Sequence, residues 1–231
     1  MRAARNSWIL ALLACCAPAV AKPSAEAIIA AVKHNFDAVN DYSADMALTV
    51  KGAQVSINNM QATLYFKKPG KVHVEPKQGV ALLPPCNLIG NPISELARST
   101  KPAYLGSEKK QGIDCHVLRL DPAGNPQGRG SIKVWVDKQR SVLVATQASG
   151  APALRTEWRT EKIDGRYYLP VEIRADLDQP GSGRLTATVK FSNYRINKGI
   201  SDKVFIEKPG GPKTGRPRFH RHFRHRSDPD E

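Results

Sequence analysis

Histidines, cysteines and paired carboxylates are the side chains of this sequence that could do chemistry, and their spacing argues against a catalytic centre. His34, His73 and His116 are scattered through the chain. Cys115 and His116 are adjacent, but neighbours on a strand point to opposite faces and cannot ligate one metal together. Asp176 and Asp178 fall on one face of an extended run, an ordinary arrangement for solvated carboxylates. No G-x-S-x-G elbow, H-E-x-x-H pair or glycine-rich phosphate loop leading into a helix is present. The expectation is a protein that is not an enzyme, with no catalytic residue and no cofactor.

One histidine cluster remains, His220, His222 and His225 in "GRPRFHRHFRHR" (215–226). It could hold a divalent metal only weakly, because the neighbouring arginines repel a cation. The same run, with Phe219 and Phe223 interleaved, suits contact with an anionic membrane surface. A solubilising terminus is the third reading. Its Pro and Gly density, followed by alternating Arg and His, predicts a disordered tail over 208–231.

The N-terminus carries export chemistry. Arg2 and Arg5 precede the apolar run Trp8–Ala14, and Ala19-Val20-Ala21 offers the small residues that signal peptidase accepts. The run is too short to span a bilayer, so residues 1–21 read as a signal peptide. Leu12-Leu13-Ala14-Cys15 competes as a lipobox, with Cys15 then lipidated. Either route delivers the protein to the periplasm, where Cys86 and Cys115 could form one disulfide or remain two buried thiols.

A formal charge of +14 over 231 residues limits the partners. Seven Lys and Arg face three acids from Lys208 onward, and the region before it keeps its own positive excess. Anionic lipid headgroups or glycans fit this balance, while export disfavours nucleic acid. A hydrophobic content of 41% allows one cored domain, placed at 22–207.

Ser24 caps a predicted helix running to about Asn40, with Ile28, Val32, Phe36 and Val39 in one stripe. Period-two alternation then predicts strands around 46–50, 60–66, 72–74, 103–108, 113–120, 132–136, 142–147, 154–160, 167–177 and 185–191, with a last short one at Val204-Phe205. Pro69-Gly70 and Asp164-Gly165 mark turns. A short helix is expected from Asn91-Pro92 to about Ser99. About ten strands and two helices make an all-β or α+β sheet that curls.

Several blocks resemble the periplasmic lipoprotein-sorting carriers of the LolA-like family: "LYFKKPGKVHVE" (64–75), "LGSEKKQGIDCHVLRLDP" (105–122), "VWVDKQRSVLVA" (134–145), "IDGRYYLPVEI" (163–173) and "VKFSNYRINKGISDKVF" (189–205). The resemblance implies an α+β fold, a strongly curved antiparallel sheet (an unclosed β-barrel) with covering helices. Between them it implies an apolar cavity for lipoprotein acyl chains or another lipid. The alternating apolar face that carries Leu48, Leu64, Phe66 and Val74 either lines that cavity or is packed as plain core. The resemblance places a basic residue, here Lys68, before the turn proline at the cavity mouth, where the family's arginine grips helix carbonyls. Lysine brings the charge without the planar fork. Implied partners are lipid and envelope membrane proteins. A sister branch of the fold implies the alternative, a lipid-sensing regulator of envelope-stress signalling.

Overall fold

The computed structural model describes residues 23–53, 55–77, 99–122, 130–149, 153–179 and 183–206. One helix and ten strands follow in chain order: α1 (Ala25–Asp37), β1 (Asp41–Lys51), β2 (Ser56–Lys67), β3 (Lys71–Pro76), β4 (Ser99–Lys110), β5 (Ile113–Pro122), β6 (Ile132–Asp137), β7 (Leu143–Ala148), β8 (Ala153–Ile163), β9 (Tyr167–Gln179) and β10 (Gly183–Ile196). The strands form one unclosed antiparallel sheet in the order β3-β2-β1-β10-β9-β8-β7-β6-β5-β4. The chain thus builds two meanders and joins them where β1 pairs with β10, Leu48 opposite Val189.

Local chemistry accounts for the elements. Ser24 Oγ accepts the Ala27 amide at 3.1 Å, satisfying one of the free N–H groups at the start of α1. Ile28, Ile29, Val32 and Phe36 form the buried stripe of that helix. Along β1 the even positions from Tyr42 to Val50 are buried, and Ala62, Leu64 and Phe66 of β2 continue the same face. Asp164 and Gly165 both take left-handed φ, 50° and 65°, in the turn that joins β8 to β9. Such a turn matches the twist of the strands it connects.

Two expectations are corrected. Val204 and Phe205 lie in a 3₁₀ turn over Asp202–Phe205, not a strand; Ser201 Oγ accepts the Lys203 amide at 3.3 Å and starts the turn. Ser99 opens β4 instead of ending a helix. The rest of that expected helix, the signal segment with Cys15, Cys86, and the tail with His220, His222 and His225 lie outside the described residues.

The core lies between α1 and the inner face of the sheet, drawing on every strand from Leu118 and Leu120 in β5 round to Val74 in β3. A smaller cluster of Cys115, Val117, Trp135, Val144 and Ala145 is buried on the other side. Trp135 there is roofed by charged chains: its Nε1 donates to Glu108 Oε2 at 2.9 Å, and Lys133 Nζ lies 4.7 Å from the ring centroid.

Candidate functional site

Helix α1 lies across one end of the inner face, and polar groups tie it down at three points. Lys68, between β2 and β3, donates from Nζ to the Asp37 carbonyl oxygen at 2.7 Å, with the Asp37 carboxylate 4.0 Å away. A cation at this position meets both a free terminal carbonyl and the negative end of the helix dipole. Asn197, just past β10, donates from Nδ2 to the Ala38 carbonyl at 2.8 Å and accepts the Asn40 amide at 2.7 Å. Asn35, on the helix, donates from Nδ2 to the carbonyls of Arg140 and Ser141 at 2.7 and 3.0 Å.

Each tie rests on a shaped turn. Lys67, one residue before Lys68, binds the Ile200 carbonyl and the Asp202 carboxylate at 2.9 and 2.8 Å, so the two lysines hold separate segments. The Lys67 and Lys71 ammonium groups lower the Asp202 pKa below its ordinary range. The turn receiving Asn35 is organised by Asp137. Its carboxylate accepts the Gln139 and Arg140 amides at 2.7 and 3.0 Å and the Arg140 guanidinium at 2.6 Å. Burial alone would raise the Asp137 pKa, but these donors outweigh it and hold the group below the usual carboxylate range.

Beneath α1 the sheet face is filled. Leu48, Leu64 and Phe66 are fully buried and Val74 nearly so. Phe36 of the helix meets Phe66 edge-on at 5.3 Å, and Tyr42 stacks on Phe66 at 5.2 Å. Burial pushes the Tyr42 phenol far above its ordinary range, so it is neutral at any physiological pH. Beside the helix a cavity of about 30 Å³ opens between Val32, Asn35 and Phe36 of α1, Val142 of the β6–β7 turn, and Leu143, Trp158 and Pro170 of the sheet. That is room for about one water or methylene.

The same face continues beyond the helix. Val55, Ile57, Met60, Ile132, Ala175 and Leu185 pack on the core yet remain only partly buried. Ile57 stands opposite Val50 and Met60 opposite Leu48, with a bulge between the two pairs, so the apolar face continues past the helix-covered end across an irregular stretch of β2. The candidate site is therefore an apolar wall with a tied helix over one end and, among the described residues, partly buried side chains toward the other.

The structure brings Leu48, Leu64, Phe66, Val74 and Lys68 together around this wall. The other chemistry-bearing residues stay apart. His34 is exposed on α1, and His73 lies beside Tyr65 at 6.2 Å. His116 sits against Tyr104 at 5.8 Å, on the face opposite Cys115. Burial, with Lys138 nearby, lowers its pKa. Cys115 is a buried free thiol whose pKa burial raises. Asp176 takes its place in an outer-face network with Arg184 at 3.1 Å and Thr186 at 2.7 Å. Among the described residues no group of three or more His, Cys, Asp or Glu could hold a metal ion, and no helix is long and apolar enough to cross a membrane. Sequence reasoning missed Asn35, Asn197 and Asp137. The D-x-x-R spacing at Asp137–Arg140 is the one local signal that could have found any of them.

No family model and no curated protein match this chain. Solved structures do. A DUF1329 family protein from Desulfovibrio piger aligns with a TM-score of 0.61 at 17% identity, over 80% of this chain and 98% of its own. A LolA superfamily protein from Nitrosomonas europaea gives 0.58 at 11% identity, over 80% and 99%. A putative outer membrane lipoprotein-sorting protein domain from Vibrio parahaemolyticus gives 0.57 at 16% identity, over 79% and 95%. The fold is LolA-like: an unclosed ten-stranded antiparallel sheet with a helix on its inner face.

Proposed function

We propose that this protein is a periplasmic carrier that binds lipoprotein acyl chains, or another lipid, against the inner face of the sheet and works by binding instead of catalysis. The partly buried apolar end of that face, beyond the helix, carries the reading. Apolar surface left in water costs about 25 cal/mol per Å², and each methylene buried against it returns roughly 0.8 kcal/mol. Leu48, Leu64, Phe66 and Val74 form the floor of the site, and Met60, Ile57 and Leu185 its open margin. Lys68 holds α1 over the floor. Fold likeness to a lipoprotein-sorting domain supports the same reading.

Export by the N-terminal signal, and delivery to or from envelope membrane proteins, complete the proposed role. The basic tail supplies contact with anionic membrane. The test is to express the full chain with its own signal, purify it from the envelope without detergent, and extract it for mass spectrometry. Acyl lipid in near-stoichiometric amount is expected. Lipid-free protein that also fails to bind a fluorescent fatty acid would overturn the proposal.

A further inference from the structure

Resting on the carrier reading, we infer that the seam between α1 and the β6–β7 turn is where an alkyl chain is admitted, and that Asn35 is the positioning residue that keeps this seam shut. The observation is a juxtaposition. The small cavity beside α1 lies at the one edge of the helix whose attachment runs through Asn35. Val32, Phe36, Val142, Leu143, Trp158 and Pro170 line it with apolar surface, and Phe36 separates it from Phe66 on the floor. Its volume of about 30 Å³ matches a single methylene. A chain therefore enters this seam only as α1 moves away from the turn.

The three ties differ in what they resist. Lys68 and Asn197 hold the main-chain carbonyls of Asp37 and Ala38, whereas Asn35, in the same last turn, is held through its side chain. Among the described residues Asn35 alone joins a helix side chain to the facing turn, and its two acceptors belong to the loop that Asp137 organises. Breaking those two bonds releases the side of the last turn that faces Trp158, while the two main-chain ties remain. The amide suits a reversible latch: it donates to two carbonyls, and on release both acceptors are satisfied by water. The occupant is an alkyl chain because apolar carbon dominates the lining and the adjoining floor.

The experiment compares full-length wild type with Asn35→Ala and Asn35→Asp, using a bromine-labelled fatty acid as quencher. Three readouts are taken: equilibrium binding, tryptophan quenching, and the rate of uptake after rapid mixing. Trp158→Phe serves as the quenching control. Binding with quenching that disappears in Trp158→Phe places the chain in the seam. Asn35→Ala should take up the chain about ten-fold faster, the effect of two part-buried hydrogen bonds. Asn35→Asp should be faster still at pH 7, because a carboxylate facing two carbonyls repels them, and should slow as the carboxyl protonates near and below pH 4. A purely structural loss would lower the melting temperature without that pH reversal. Failure of wild type to bind any fatty acid would sink the carrier reading and the seam with it. Normal binding with uptake unchanged in both variants, or with quenching that survives in Trp158→Phe, would overturn the seam alone.

Discussion

Lys68 and Asp37, thirty-one residues apart, meet through a side-chain ammonium and a backbone carbonyl 2.7 Å away, at the end of the only α-helix among the described residues. The lysine keeps about a third of its side-chain surface exposed. Its grip is thus strong enough to orient the helix end and weak enough to be broken and remade.

Replacing Lys68 separates grip from stability. Lys68→Ala should shift stability by about 1 kcal/mol or less, because a partly exposed charge at a helix terminus contributes no more. Lipid should nevertheless leave faster. Lys68→Arg, with its planar fork, should release more slowly than wild type. Stopped-flow transfer of a fluorescent fatty acid to acceptor vesicles reads the order; identical off-rates in all three would remove Lys68 from the site.

The floor and the open margin should respond differently to the same substitution. Leu64 is fully buried, so Leu64→Glu should cost about 4 kcal/mol or more and unfold much of the protein. Met60, opposite Leu48 and partly exposed, has water within reach. Met60→Glu should keep the fold by circular dichroism and lose co-purified lipid. A folded Met60→Glu that retains its lipid would move the site elsewhere.

Acid should loosen the β6–β7 turn. The Asp137 pKa is depressed in the folded protein, so its contribution is present above the unfolded value near 4 and is lost as pH falls through the folded one. Asp137→Asn should therefore cost about 1–3 kcal/mol at pH 7 and less at about pH 3, below the unfolded value. Urea midpoints at the two pH values provide the comparison; equal losses at both would mean that the carboxylate charge is not what holds the turn.

Thiol labelling addresses Cys115. Buried, with its pKa raised, it should resist iodoacetamide in the folded protein and react on unfolding in urea. Labelling in urea only after addition of reductant would instead show Cys115 bonded, with Cys86 the partner proposed from the sequence.

For the tail, removal of residues 209–231 should weaken binding to anionic vesicles and leave the melting temperature unchanged. Each basic residue near such a surface contributes about 1 kcal/mol at most, and salt screens it. Histidine titrates near pH 6.5, so full-length binding should strengthen from about pH 7.5 to 5.5. Vesicle sedimentation at two pH values and two salt concentrations measures both effects. Equal binding of the two proteins throughout would leave the tail as a solubilising terminus.

The strands were readable because alternation is local: Leu48, Leu64 and Phe66 announce their shared face within a few residues of sequence. Lys68 was legible through its place beside Pro69 in a block resembling the LolA-like carriers. Asn35 and Asn197 were not, since their partners lie 105 and 157 residues away and an isolated asparagine carries no pattern. Val204-Phe205 misled for the opposite reason. Two strand-favouring residues sit where the Ser201 hydroxyl and a backbone turn decide the conformation.

The order of the strands has a kinetic consequence. Eight of the nine neighbouring pairs join strands consecutive in sequence, and only β1 with β10 does not. Each meander can zip from its own turns within microseconds to milliseconds, but β1–β10 pairing must first close a loop of well over a hundred residues. That docking should be the slow event of folding. Asn197, whose side chain accepts the amides of Asn40 and Asp41, stands at the first rung of the ladder. Truncating it to alanine should slow refolding more than it speeds unfolding, the signature of a contact already made at the barrier.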